Sequence, residues 1–206
     1  MSFTKILIDF AVEVVSEIGY GGVFILMLLE SALIPIPSEA IMPFAGFLVA
    51  TGEMDFLYAV LAGTFGNLAG SYLAYVLGSK FGRPFLERYG KYLLVTSEHL
   101  EYAEKLFNEK GQVTVFVGRI LPAVRTVISF PAGIAKMNIV HFTVYTVIGS
   151  FIWCTALTYV GLVLKENWKM LENYFLYIDV LVVAAAIGVV LYLLIKRRKA
   201  ANEELI

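Results

Sequence analysis

The sequence has little charge for its length. Of its 206 residues, only 16% are Asp, Glu, Lys or Arg, where a soluble domain carries about 25%. Hydrophobic residues make up 59%, and so few polar side chains could not cover the surface of a water-soluble domain of this size. The 16 basic and 17 acidic residues nearly balance, which excludes a strongly basic surface for nucleic acid. The composition therefore indicates an integral membrane protein.

The sequence is also poor in residues that bind metals or form disulfides. Cys154 is its only cysteine, and it has two histidines. A lone cysteine excludes a disulfide framework and a cysteine-based metal cluster. We find no Ser–His–Asp set, phosphate-binding glycine loop or HExxH motif. We therefore expect a protein that is not an enzyme, with no catalytic residue, metal or cofactor.

Three apolar stretches are long enough to cross a bilayer, since a spanning helix needs about 20 mostly apolar residues. They run from about Phe56 to Lys80, from about Ile139 to Leu164 and from about Tyr174 to Ile195. The last predicts a C-terminal transmembrane helix over 174–195. The tail that follows it, 196–206, begins with four consecutive basic residues. This charge places the C-terminus in the cytoplasm.

Two further apolar stretches are interrupted by proline. Tyr20 to Ala50 contains Pro35-Ile36-Pro37, and Gln112 to Ala135 contains Pro122 and Pro131-Ala132-Gly133. Because proline removes a backbone donor and clashes with the preceding turn, each stretch is predicted to form half-helices around these breaks. We interpret both as re-entrant hairpins that protein or water covers at membrane depth. A kinked spanning helix is the alternative.

The two remaining segments are more polar. Residues 1–19 predict an amphipathic helix. Residues 81–110 predict a cytoplasmic linker, with a helix that begins at Thr96-Ser97 and ends at Gly111. The apolar side of the N-terminal helix is expected to consist of Phe3, Ile6, Leu7, Phe10, Val14 and Ile18.

Shifting the sequence against itself by 87 residues matches the two broken stretches. Pro35 then matches Pro122, and Ala45-Gly46 matches Ala132-Gly133. In the spans, the same shift matches four pairs: Tyr58 with Tyr145, Val60 with Val147, Ala69 with Ala156 and Tyr72 with Tyr159.

The loop Thr51–Asp55 has acids and no base, which places it outside and gives the two stretches opposite orientations. Inverted repeats with broken helices that meet near the midplane are a transporter architecture. The expected fold is all-α, with inverted repeats that each combine a re-entrant helical hairpin and a transmembrane helix, plus the N-terminal and C-terminal helices. We expect one membrane domain over 1–206: amphipathic helix 1–19, first repeat 20–80, linker 81–110, second repeat 111–165, C-terminal span 174–195 and tail 196–206.

Four ionisable residues lie inside the broken stretches. Glu30 and Glu39 belong to the first, and Arg119 and Arg125 belong to the second. A charge at the bilayer centre costs roughly 2.5–3.5 kcal/mol on insertion scales, so these residues should pair, line water or hold a ligand. One interpretation is an ion-pair network that only stabilises the fold. The other is an anion site, because a guanidinium binds phosphate oxygens in a bidentate fork. Asn67, in the span that begins at Phe56, is expected to bond to a neighbouring helix.

Two motifs in these stretches resemble the DedA family of membrane proteins, also called the SNARE-associated or VTT-domain family. The first is Glu30-Ser31-x-x-x-Pro35-x-Pro37-x-Glu39, followed by Pro43-x-Ala45-Gly46. The second is Gly118-Arg119-x-x-Pro122-x-x-Arg125, followed by Pro131-Ala132-Gly133. The resemblance covers roughly Gly21 to Val163.

The resemblance implies two re-entrant hairpins in inverted repeats and a role in moving lipids between leaflets. Bacterial members are linked to recycling a polyprenyl phosphate carrier, others to phospholipid translocation, and dependence on the proton motive force is a family theme. By position, the family's important acids correspond to Glu30 and Glu39, and its paired arginines to Arg119 and Arg125.

We therefore expect a flippase of the cytoplasmic membrane that moves undecaprenyl phosphate or a related polyprenyl phosphate. Glu30, Glu39, Arg119 and Arg125 would form its substrate and proton site. The alternatives are a proton-coupled ion or drug exporter, a phospholipid scramblase, and a structural membrane factor. The expected partners are the anionic lipid, the membrane and protons; a homodimer and proton coupling are left open, and no nucleic acid is expected. The residues expected to shape the hairpins are Pro35, Pro37, Gly46, Pro122, Pro131 and Gly133.

Overall fold

The computed structural model describes residues 3–34, 36–82, 84, 97–165 and 167, and this part of the chain is helical, without a strand. Pro35, most of the predicted linker, the predicted C-terminal span over 174–195 and the tail over 196–206 lie outside the described residues. The helices are α1 (Phe3–Ile18), α2 (Tyr20–Ser31), α3 (Ser38–Thr51), α4 (Phe56–Leu77, with a π-helical continuation over Gly78–Gly82), α5 (Ser97–Ile120), α6 (Pro122–Arg125), α7 (Ser129–Ile134) and α8 (Ile139–Leu164).

Two of the described helices are long and apolar enough to cross a membrane. They are α4 with its continuation, 27 residues in all, and α8, with 26 residues. At 1.5 Å per residue each is about 40 Å long, against about 30 Å of hydrocarbon. Both begin at a side-chain cap: Asp55 accepts from two backbone N–H groups of α4, and Asn138 accepts from two of α8. The spans predicted from Phe56 and from Ile139 are thus confirmed as continuous helices.

The first broken stretch forms two short helices. α2 has 12 residues and α3 has 14, so their lengths of about 18 and 21 Å are below the thickness of the hydrocarbon core. The chain breaks between them, and Pro37 stands at the N-cap of α3 with an extended backbone (φ −78°, ψ 113°). The break predicted at Pro35-Ile36-Pro37 is therefore found.

The second broken stretch breaks at Pro122, as predicted, but not at the second predicted position. α5 begins at Ser97 as expected. Its backbone is non-helical at Lys110 (φ −132°, ψ 18°), next to the end predicted at Gly111, and a second helical segment continues to Ile120. Pro122 is the first residue of α6, where a missing N–H costs nothing. The predicted second break at Pro131-Ala132-Gly133 is wrong, because these residues lie inside α7. Pro131 is tolerated there because it belongs to the first helical turn, whose N–H groups have no partner within the helix. The chain turns instead over residues 126–128.

Helix α1 forms as predicted but buries a different face. Ile8, Ala11 and Val15 are buried, and α1 packs against α2 and α3. The predicted apolar side is largely exposed, at Ile6, Phe10 and Ile18. In a bilayer the surroundings are themselves apolar, so an apolar side chain gains little by turning inward.

We call α1–α4 the first half and α5–α8 the second half. The short helices α3 and α7 each pack against a long helix of the other half. α3 contacts α8, while α7 contacts α4 and its π-helical continuation. The long helices α4 and α8 also contact each other, and α2 and α5 lie against α4 and α8 respectively. The two halves are therefore interlocked rather than side by side.

Two glycines bring backbones together where the halves interlock. A Cβ on Gly46 would overlap the carbonyl oxygen of Thr158 in α8. A Cβ on Gly133 would overlap the carbonyl oxygen of Tyr75 in α4. The opposing helices contribute glycines as well, since Gly161 lies against the Pro43 carbonyl and Gly78 against the Phe130 carbonyl. Each crossing is thus a backbone-to-backbone contact that only glycine permits on both sides.

These crossings show the register in which the two halves correspond. In the short helices the contacting carbonyls belong to Pro43 and Phe130, a difference of 130 − 43 = 87. In the long helices the contacting glycines are Gly78 and Gly161, a difference of 161 − 78 = 83. The capping residues Asp55 and Asn138 also differ by 138 − 55 = 83.

A single shift of 87 therefore matches the broken stretches but not the spans. The predicted pairs in the spans, such as Tyr72 with Tyr159, are one helical turn out of register. The second half is four residues shorter than the first, and the difference lies after Gly133. α3 ends at Thr51, five residues after Gly46, whereas α7 ends at Ile134, directly after Gly133.

Candidate functional site

The end of α2 and the beginning of α3 place two acids in the protein interior. Glu30 is the penultimate residue of α2, and only 3% of it is exposed. Its Oε1 accepts a hydrogen bond from the backbone N–H of Ser38, the first residue of α3, at 3.3 Å. The N–H groups of a first helical turn lack partners within the helix and carry partial positive charge, so a carboxylate is favoured there. Glu39 follows in the same turn and is also buried.

Arg125 joins the two broken stretches. It is the last residue of α6 and is 2% exposed. Its Nη2 donates to Glu30 Oε1 and to Ser38 Oγ. The same nitrogen lies 3.7 Å from Glu39 Oε1, and the guanidinium carbon lies 4.8 Å from the centroid of the Trp153 ring. Arg125 is therefore held by two carboxylates, a hydroxyl and an aromatic face.

Arg119 lies next to Arg125 but has different partners. Its Nη1 donates to Asn67 Oδ1 and to the Arg125 carbonyl, both at 3.0 Å. Its Nη2 donates to Ser71 Oγ at 2.7 Å and to Ser129 Oγ at 2.5 Å. The structure thus brings Glu30, Glu39 and Arg125 into one ion-pair cluster, whereas Arg119 binds neutral acceptors. We call Glu30, Ser38, Glu39, Arg119 and Arg125 the polar centre.

Some atoms of the polar centre have no hydrogen-bond partner among the described residues. They include Glu30 Oε2 and the Nε atoms of Arg119 and Arg125. An unpaired buried polar group costs about 1–3 kcal/mol, and more when it is charged. The arrangement therefore has hydrogen-bonding capacity that the described contacts leave unused.

Two contacts, one within the polar centre and one beside it, join corresponding positions of the two halves. Ser38 and Arg125 are separated by 87 residues, the register of the broken stretches. Asn67 and Ser150 are separated by 83 residues, the register of the long helices, and Ser150 Oγ donates to Asn67 Oδ1 at 2.9 Å. The two halves therefore meet through their own equivalent residues.

The residues expected to shape the hairpins lie at different places. Pro37 precedes α3 and Pro122 begins α6, so both stand at breaks. Pro131 and Gly133 lie inside α7, and Gly46 lies inside α3. The glycines thus lie at helix crossings rather than in the turns. Pro35 lies outside the described residues.

Sequence reasoning missed the neutral polar side chains around the two arginines. These groups are hydroxyls or amides in apolar stretches, and each is short enough to suggest simple helix packing. The signal was present for Asn67, an amide in the middle of a span, whose expected bond to a neighbouring helix is found. The missed residues are Ser38, Ser71, Ser129 and Ser150, together with Trp153 as the aromatic partner of Arg125.

Comparison with known proteins assigns the chain to a family. The VTT domain family matches residues 36–163, more than half of the chain, from the start of α3 to the penultimate residue of α8. The chain belongs to the VTT-domain (DedA) family. The matched range includes Glu39, Arg119 and Arg125, and the family resemblance expected from the sequence is confirmed.

VTT-domain proteins that resemble this chain extend over nearly all of it. It is 40% identical to "Uncharacterized membrane protein YkoX" of Bacillus subtilis over 91% of this chain and 84% of that protein. It is 36% identical to "Undecaprenyl phosphate transporter A" of Bacillus subtilis over 90% of this chain and 92% of that protein. A more distant relative is "Protein DedA" of Escherichia coli, which is 26% identical over 98% of this chain and 99% of that protein. No solved structure matches the chain significantly. With its two long apolar helices, the chain is a membrane protein of this family, helical throughout the residues that the structure describes.

Proposed function

We propose that this VTT-domain protein is a lipid transporter of the cytoplasmic membrane that moves undecaprenyl phosphate, or a related polyprenyl phosphate, between leaflets. The observation that carries the proposal is the position of Arg125, buried between the two broken stretches and held by Glu30, Glu39 and Ser38. A relative 36% identical over 90% of this chain is named for the transport of that lipid, and a second, from Staphylococcus aureus, is 35% identical over 77%.

The proposed architecture is an inverted repeat of two re-entrant hairpins, α2–α3 and α5–α7, each followed by a span. Three observations support it. The helices α2 and α3 are too short to cross the membrane singly, the two halves make matching glycine crossings, and they meet through equivalent residues. Transporters built from inverted repeats bind substrate near the midplane, where broken helices from both repeats meet. We assign the polar centre to the corresponding place in this protein.

The proposed chemistry is an exchange of partners at Arg125. In the described arrangement Glu30 and Glu39 neutralise Arg125. A lipid phosphate that reaches the centre replaces these carboxylates, because a guanidinium binds phosphate oxygens in a bidentate fork. Arg119 supplies the second cation, and the apolar tail stays in lipid beside the bundle. Glu30 and Glu39, once released, take up protons or pair again with Arg125 when the lipid leaves, which couples transport to the proton motive force.

The test is transbilayer movement of a fluorescent polyprenyl phosphate in liposomes that contain the purified protein. We expect accelerated movement with the wild type, and movement at the rate of empty liposomes with Arg125→Ala and with Arg119→Ala. The charge-preserving variant Arg125→Lys is the matched control and should retain part of the activity. Unchanged movement in both alanine variants overturns the mechanism.

The same liposomes distinguish the alternatives. Rapid movement of labelled phosphatidylglycerol, with no preference for the polyprenyl phosphate, indicates a phospholipid scramblase. Flux of a soluble ion driven by a proton gradient indicates an exporter. If the wild type moves neither lipid nor ion, a structural role is favoured and the proposal fails.

A further inference from the structure

Arg119 is a buried cation surrounded by neutral acceptors. It is 1% exposed, and its two terminal nitrogens donate to one amide oxygen, one backbone carbonyl and two serine hydroxyls. Within the described part of the chain, the ion pairs of the polar centre involve Arg125 and not Arg119. The hydrogen-bonding needs of Arg119 are thus largely met, while its charge has no contacting counter-charge.

Asn67 is the residue that makes this cage neutral. Its Oδ1 accepts from Arg119 Nη1 at 3.0 Å and from Ser150 Oγ at 2.9 Å. The Ser71 hydroxyl lies 3.4 Å from the same oxygen but donates its hydrogen to the Asn67 backbone carbonyl at 2.6 Å. A guanidinium nitrogen can only donate, so the atom that it contacts is the amide oxygen, since the amide nitrogen accepts nothing. Aspartate has the same shape and would accept the same two bonds. The amide therefore holds Arg119 as an aspartate would, but without the negative charge of a carboxylate.

We infer that Asn67 is a positioning residue of the anion site: it holds Arg119 in place through a neutral oxygen, so that the guanidinium charge stays available to the phosphate of the lipid. The inference rests on the proposed function. It goes further in dividing the roles of the two arginines. Arg125 exchanges its carboxylate partners for the phosphate, whereas Arg119 keeps its cage and attracts the phosphate by charge. Asn67 lies outside both signature motifs, and its neutral side chain leaves the charge of Arg119 unneutralised.

The test is Asn67→Asp, measured as ligand-induced stabilisation of the full chain purified in detergent. The probes are farnesyl phosphate and farnesol, which share an isoprenoid tail and differ in the phosphate. A ligand that binds the folded state raises the midpoint of thermal unfolding. The adjacent guanidinium favours the ionised form of the new carboxylate, which then neutralises Arg119. We expect a shift with farnesyl phosphate in the wild type, no shift with farnesol, and at least about tenfold weaker apparent affinity for farnesyl phosphate in Asn67→Asp.

Two variants separate this role from a structural one. A structural acceptor role predicts that Asn67→Asp binds the probe like the wild type, because the carboxylate accepts from Arg119 at least as well as the amide. The matched control is Thr64→Val, which removes a buried hydroxyl from the same helix. That hydroxyl donates to the Val60 carbonyl, one turn earlier in α4. We expect the apparent affinity of the control for farnesyl phosphate to lie within about twofold of the wild-type value.

The outcomes distinguish the inference from the proposed function. Equal farnesyl phosphate binding by wild type and Asn67→Asp overturns the inference, while liposome transport by the wild type would still support the function. Transport without any farnesyl phosphate shift in the wild type also overturns the inference alone. Neither transport nor a shift overturns both. A shift that Asn67→Asp loses and Thr64→Val retains supports the inference.

Discussion

Ser38 and Arg125 lie 87 residues apart and are hydrogen-bonded to each other in the interior of the protein. They occupy the same position in the two broken stretches, because the same separation relates the glycine crossings of α3 and α7. In the proposed inverted repeat the two halves are related by a twofold axis, and a residue then contacts its own counterpart only near that axis. The Asn67–Ser150 contact is the matching contact between the long helices. Movement of one half against the other would therefore act directly on the partners of Arg125.

The first prediction concerns the separate roles of the two arginines in stability. Arg125→Met leaves Glu30 and Glu39 buried near each other without a cation, so we expect a loss of about 3–5 kcal/mol in unfolding free energy. In a double-mutant cycle, Glu30→Gln and Arg125→Met should show a coupling energy of at least about 1 kcal/mol. The measurement is unfolding by SDS titration in mixed micelles.

The control cycle pairs Glu30→Gln with Arg119→Met. Arg119 donates to neutral acceptors and not to Glu30, so its coupling to Glu30 should be clearly smaller than that of Arg125. Equal couplings for the two arginines would contradict the distinct partners described here.

The positions of the long helices and of the first break were predictable from local sequence. α8 runs from Ile139 to Leu164, as expected of an apolar run preceded by Asn138, a good N-cap residue. The broken stretches were predictable because proline disrupts helices. The break predicted at Pro131 was wrong because the effect of proline depends on its place in the helix. A first-turn position cannot be recognised until the preceding turn of the chain is known.

The partners within the polar centre were only partly predictable. Four charges in apolar stretches predicted that acids and arginines would meet, and Glu30 and Arg125 do. That Arg119 would take serines and an amide depended on the register of α4 against α5 and α7. A shift of 87 placed the spans one turn out, because the four-residue deletion after Gly133 changes no hydrophobic pattern: four residues nearly complete a helical turn and leave the same face exposed. Only the tertiary contacts reveal that register.

The second prediction concerns the glycine crossings. Gly46→Ala and Gly133→Ala each place a Cβ against a backbone carbonyl of the opposite half, which cannot move as a side chain can. We expect each variant to lower the unfolding free energy by about 1–3 kcal/mol and to reduce lipid movement in liposomes. The matched control is Gly21→Ala, whose Cβ would meet only the side chain of Ile18 at 3.1 Å. It should cost less than about 0.5 kcal/mol, because alanine also favours the helix. An unchanged unfolding free energy in Gly46→Ala would contradict a close backbone contact between α3 and α8, because the two helices would then move apart at little cost.

The third prediction concerns the equivalent caps of the long helices. Asp55 Oδ1 accepts from the N–H groups of Leu57 at 2.8 Å and Tyr58 at 3.2 Å. Asn138 Oδ1 accepts from Val140 at 2.9 Å and from the following residue at 3.3 Å. Asp55→Ala and Asn138→Ala should each cost about 0.5–2 kcal/mol. Hydrogen exchange should show faster exchange in the first turn of the affected helix alone. Asp55→Asn keeps an acceptor and should retain protection; equally fast exchange in this variant would show that the cap is not what protects the turn.

The fourth prediction tests the inverted orientation of the halves. The loop after α3 contains exposed Glu53, and the loop after α7 contains exposed Lys136. These loops occupy equivalent places, since their separation of 136 − 53 = 83 matches the register of the caps. Because Cys154 is the sole cysteine and is buried, a Cys154→Ala background allows single-cysteine labelling at Glu53→Cys or Lys136→Cys.

In intact cells, a membrane-impermeant maleimide should label Glu53→Cys, since the acidic loop is expected outside, and should label Lys136→Cys only after permeabilisation. Lys and Arg mark cytoplasmic loops, and Lys136 is consistent with that side. Opposite accessibility requires that the chain between the two positions cross the membrane an odd number of times. α4 provides one crossing, so a re-entrant α5–α7 must return to the side from which it enters. Labelling of both cysteines in intact cells would require an additional crossing by α5–α7, and the inverted repeat would then be replaced by two parallel halves.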